Sequence, residues 1–180
     1  MIRPEFRKTL LDQRGAAVIL WSFFVISIPI YIFISSKFLG GSATDGSSFT
    51  RTVRVFVWLL AIIDLGYYVY WKQRNLSPRA VLASAQNTKL FRALADFQGK
   101  VEKRAALAVS AYVTRKVVVF AIIEAIAVYG FVLAFIGGFM TDQYLLSALS
   151  LILLTIEFPS EKALDAIVKA AEPPTGKVAG

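Results

Sequence analysis

Cysteine and histidine are both absent from this 180-residue chain, and their absence removes several chemistries at once. No disulfide, thiolate nucleophile, iron–sulfur cluster or zinc site of the usual Cys/His kind can be assembled from it. The Ser-His-Asp and Cys-His systems of covalent catalysis are excluded for the same reason. Haem ligation by histidine is impossible, and Met1 and Met140 are poor axial ligands. A glycine-rich phosphate loop is also missing, since Gly40-Gly41 and Gly137-Gly138 read as turn glycines. No metal, no cofactor and no enzymatic activity are therefore expected.

What the chain has in excess is apolar surface. Hydrophobic residues make up 57% of it and fall into four stretches: Gly15 to Leu39, Val53 to Trp71, Val117 to Met140 and Gln143 to Phe158. Crossing a hydrocarbon core of about 30 Å takes about 20 helical residues. The first and third stretches exceed that, and tilt or local thinning covers the shortfall of the second and fourth. The first run is too long for the core of a signal peptide and has no clear small-x-small cleavage site, Ser42-Ala43 aside.

The net charge of +8 is placed as a membrane requires, which argues against nucleic acid as a partner. Arg3, Arg7, Lys8 and Arg14 precede the first stretch, and ten Lys or Arg lie between Lys72 and Lys116. The short connection before the fourth stretch holds only Asp142. Positive charge collects on the cytoplasmic side, so both termini and the long middle segment are expected there, in a bacterial inner membrane. The predicted fold is all-α: a polytopic membrane protein with four transmembrane helices plus a long cytoplasmic amphipathic helix.

Along the chain, residues 1–14 read as a cytoplasmic amphipathic segment with Phe6, Leu10 and Leu11 at helical spacing. Residues 15–71 form a first transmembrane hairpin, with a flexible outer loop over 40–52. Pro29 predicts a kink near Val25 to Ser27. Tyr67, Tyr68, Tyr70 and Trp71 mark the inner interface. In the basic region 72–116, Ser77-Pro78 starts a helix expected to run to Lys116. Its apolar stripe of Leu90, Leu94, Phe97, Val101, Ala105, Ala108 and Tyr112 is expected to face a partner or the membrane, or to lead straight into the third span. Residues 117–158 form the second hairpin, and 159–180 hold a short helix, Glu161 to Ala171, and a disordered tail after Pro173-Pro174.

Two carboxylates interrupt the spans, Asp64 and Glu124, and an ionisable residue there is a functional candidate by default. Asp64 lies seven residues before Trp71 and Glu124 eight after Lys116. Both therefore fall roughly 10–12 Å inside the same boundary and are expected to meet if their helices touch. Taking a carboxylate charge out of water is costly, so each is expected to be neutral and hydrogen-bonded, with Tyr68 the nearest donor to Asp64. Glu157, near the inner end of the fourth stretch, is expected to be interfacial. Ala127, Gly130, Ala134 and Gly138 form a small-residue stripe for close helix packing.

The run Val119 to Gly137, VFAIIEAIAVYGFVLAFIG, resembles the carboxylate-bearing helix of rotary ATP synthase c subunits. That resemblance covers one helix and implies that Glu124 is an ion-binding acid. The glycine-repeat helix and the polar loop motif of that family are missing. The expected role is a non-catalytic accessory or scaffold subunit of a larger membrane complex. Its expected partners are other membrane subunits, and anionic lipid headgroups at the cytoplasmic face. The alternative is a proton- or cation-translocating component that uses Asp64 and Glu124, with Tyr68.

Overall fold

The structure, a computed structural model, describes residues 4–39, 48–83 and 100–171. They form six α-helices: α1 (Pro4–Leu39), α2 (Ser48–Asn75), α3 (Pro78–Ala83), α4 (Lys100–Gly137), α5 (Met140–Ile156) and α6 (Glu161–Ala171). Among the described residues there is no strand. Three helices are long and apolar enough to cross a membrane, through Arg14–Phe38, Ser48–Asn75 and Ala105–Gly137. The 17-residue α5 joins them as a fourth only when taken together with α6. The all-helical fold with three to four candidate spans thus follows the hydropathy pattern.

From Pro4 onward the N-terminal segment is no separate helix but the opening turns of α1, which runs unbroken through Pro29. Of the alternatives for the middle stripe, the chain takes the one that leads straight into the third span: α4 is one 38-residue helix from Lys100, about 57 Å long. Ala, Leu, Glu and Lys/Arg between 100 and 116 favour helix, and no proline or glycine over 101–116 breaks it. The positions Leu90, Leu94 and Phe97, the outer loop over 40–47 and the tail after Ala171 lie outside the described residues.

The chain divides into two compact units. Unit 1 comprises Met1–Val18, Lys72–Val117 and Pro159–Gly180. Its core is built from Val81 of α3, Ala105, Ala106, Ala108, Val109 and Tyr112 of α4, and Leu164 and Ile167 of α6. The α4 stripe thus packs against the chain's own helices, and small alanines let them approach closely. Ser77 caps α3, its Oγ accepting from the Ala80 amide at 3.3 Å, with Pro78 in the first helical position. Arg14 pairs with Glu161 and donates from Nε to the Pro159 carbonyl at 3.1 Å. Arg115 donates to the Asn75 carbonyl at 2.7 Å, satisfying one of the orphan acceptors at the end of α2.

Unit 2 comprises Ile19–Trp71 and Val118–Phe158. Val57, Ala61, Ile126, Leu133 and Leu146 pack at one of its cores. Gly138, at φ 66°, turns the chain between α4 and α5, a conformation glycine adopts without strain. The Gly138 amide donates to the Ala134 carbonyl at 2.9 Å, so the tight link leaves that group satisfied. At Gly130 the helices nearly touch: a Cβ there would lie 2.9 Å from Gln143 Cα and 3.1 Å from Leu146 Cβ. Ala127 and Ala134, from the same stripe, are wholly buried.

Polarity in unit 2 is reversed relative to a water-soluble domain. Every large apolar side chain exposed among the described residues, from Ile19 to Phe158, belongs to this unit. Ser35, Asp142, Gln143, Ser147, Ser150 and Glu157 are turned inward instead. Exposed apolar surface on this scale is stable only against an apolar solvent or a partner.

Candidate functional site

The polar side chains of unit 2 pair across helices at several levels. At one end, Arg54 of α2 grips Asp142 in the first turn of α5, Nε to Oδ2 at 2.6 Å and Nη2 to Oδ1 at 2.9 Å. The guanidinium also stacks over the Phe139 ring, 4.9 Å from its centre. Nη2 makes the hydrogen bond and Nε an ionic contact, so the pair ties α2 to α5 through one charge-assisted bond. Nearby, Gln143 donates from Nε2 to the Tyr31 carbonyl at 3.1 Å, tying α5 to α1.

Deeper in the unit, Glu124 of α4 meets two hydroxyls of α1. Tyr31 donates to Oε1 at 2.8 Å, and Ser27 Oγ lies 2.7 Å from the same oxygen. Ser27 Oγ also lies 2.8 Å from the Phe24 carbonyl oxygen. A serine hydroxyl has one hydrogen and cannot donate to both acceptors. The two acceptors therefore compete for the single Ser27 hydrogen. Asp64 of α2 accepts from Tyr129 of α4 at 2.7 Å.

At the opposite end, Tyr68 of α2 donates to Glu157, just past α5, at 2.6 Å. The pair is shut away from solvent, Tyr68 at 5% and Glu157 at 2% exposure. Trp21 donates from Nε1 to the Leu154 carbonyl at 2.8 Å and sets its ring edge-on to Phe158. Ser150 Oγ donates to the Ile123 carbonyl at 2.8 Å. Asp142 Oδ2, Gln143 Oε1 and Ser147 Oγ are buried without a hydrogen-bond partner among the described residues.

Asp64 and Glu124 are therefore each engaged by a hydroxyl on another helix rather than by one another. Tyr68, the nearest local donor to Asp64, is bonded to Glu157 instead, and Glu157 is buried within the chain. The signal for these pairings was present in depth along the chain. Tyr68 lies three residues before Trp71 and Glu157 one before Phe158, so both fall at the same end of their apolar runs. The Arg54–Asp142 pair likewise joins the two charged residues flanking the other ends.

No protein-family model, curated protein or solved structure matches this chain. Chemistry must be read from the geometry alone. Among the described residues no three acidic side chains converge on a common point that would hold a metal ion. What the arrangement does is join helices: each of the four described acids of unit 2 is matched to a hydroxyl or guanidinium on a different helix.

Proposed function

We propose that the protein is a multi-pass integral membrane protein without catalytic chemistry, an accessory or scaffold subunit of a larger membrane complex. Four helices span the bilayer in this reading, and unit 1 with both termini lies on the cytoplasmic side. The observation that carries it is the pairing of the intramembrane acids. Each is spent on an interhelical bond, the use expected of structural ties in lipid, where such bonds contribute ~0.6–2 kcal/mol. A catalytic or transport group would be left facing a cleft.

Support for a partner comes from where burial is thin. The apolar windows of α1 and α2 are far less buried within the chain than that of α4, so two broad apolar faces await lipid or neighbouring subunits. The basic segment 72–116 suits anionic headgroups at the cytoplasmic face. Gentle extraction from the native membrane, followed by identification of chains that co-migrate, tests the reading. Reproducible co-migrating subunits are expected, and a lone monomer refutes it.

Glu124 favours a second reading, proton or cation translocation. A carboxyl held inside a span by two hydroxyls is the kind of group that binds a proton or cation, and the resemblance of its helix to an ion-carrying one points the same way. Glu124→Gln separates the two. The amide oxygen still accepts from Tyr31 and Ser27, so a tie survives, whereas an ion carrier loses its flux in proteoliposomes.

A further inference from the structure

The N-terminal part of α2 carries two shallow apolar grooves that share a wall. One, about 550 Å³, is lined by Arg54, Val55, Trp58, Leu59, Ile62, Asp142 and Leu145. The other, about 440 Å³, is lined by Arg51, Thr52, Val55, Phe56 and Leu59. Val55 and Leu59 form the ridge between them, and each groove has one arginine at the same end.

The geometry points to a specific phospholipid site here, with one acyl chain in each groove and the phosphodiester held between Arg51 and Arg54. Residues three apart on a helix are surface neighbours, close enough for one phosphate to reach both guanidinium groups. Asp142 accepts from Nη2 of Arg54 and lies in ionic contact with its Nε, which orients that side chain and leaves Nη1 for a ligand. Arg51 is exposed and has no ionic partner among the described residues. Two cations and one carboxylate leave a single positive charge, matched by the single negative charge of a phosphodiester.

Depth agrees. From Arg51 to Trp71 is twenty residues, about 30 Å along a helix, which equals the thickness of the hydrocarbon core. With the Tyr67–Trp71 aromatics at one interface, the two arginines lie at the headgroup level of the other. Arginine suits this position because its planar fork binds phosphate oxygens in pairs.

The test is native mass spectrometry of the full-length protein titrated with phosphatidylglycerol and, separately, with diacylglycerol bearing the same acyl chains. Phosphatidylglycerol is expected to be retained and diacylglycerol not. Arg51→Gln is expected to weaken retention about fivefold, the worth of one arginine near a lipid headgroup. Leu59→Trp, which fills both grooves from the ridge, is expected to reduce it with the arginines intact. Equal retention of both lipids, or equal phosphatidylglycerol retention by Arg51→Gln and the parent, overturns the proposal as bulk lipid only. A photocrosslinker at position 59 that captures a protein instead of lipid in the native membrane also overturns it.

Discussion

Removing one oxygen from Tyr68 tests whether the polar ties hold the helices together. Tyr68→Phe deletes the hydroxyl that donates to Glu157 at 2.6 Å and changes little else, because the ring stays buried in place. A hydrogen bond contributes about 0.5–1.5 kcal/mol in soluble proteins, and about 1.5–3 where a partner is charged. Within membrane proteins double-mutant cycles average about 0.6 kcal/mol and reach about 1.7, since the unfolded chain finds other partners. The short distance and near-complete burial place this pair toward the upper end, about 1–1.7 kcal/mol. The assay is reversible unfolding in mixed micelles for the parent, Tyr68→Phe, Glu157→Met and the double variant. Met removes the acceptor at similar volume, so the cycle isolates the hydroxyl–carboxyl interaction from the loss of volume. A coupling energy indistinguishable from zero refutes the view that these acids act as ties.

Two other substitutions probe the packing beneath the ties. Gly130→Ala would set a methyl 2.9 Å from the Gln143 backbone, and relief requires α4 and α5 to part. It is expected to destabilise by about 1–3 kcal/mol, read in the same unfolding assay, and an unchanged midpoint would show that the helices do not approach so closely. Ser147→Ala removes a buried hydroxyl with no partner among the described residues, and is expected to be neutral or stabilising by up to about 1 kcal/mol. Destabilisation would mean that Oγ is satisfied.

Where the sequence was legible, a one-dimensional property sufficed. Mean apolarity located the long helices, and Pro159-Ser160 located the start of α6 at Glu161. Ser77-Pro78 marked α3, and Gly138 marked the turn, because caps and positive φ depend on immediate neighbours. Leu164 and Ile167 of α6 join the core of unit 1, with Ala163 and Val168 packed against it. The partners of the acids were less legible, because they depend on the rotation of each helix about its axis and on which helices touch. Depth was used to compare Asp64 with Glu124, whereas the relevant comparison was between acids and hydroxyls on other helices. Tyr129 for Asp64, and Tyr31 with Ser27 for Glu124, emerge only once the helices are placed side by side.

The link between α4 and α5 has a consequence for how the protein is made. Only Gly138 and Phe139 separate the two helices. In the four-span arrangement proposed above there is no slack for one to settle in the bilayer while the other waits, and the pair must leave the ribosome and reach lipid as a single folded-back object. Lengthening that link should cost little in the finished molecule while giving the insertion machinery a chance to place α5 wrongly.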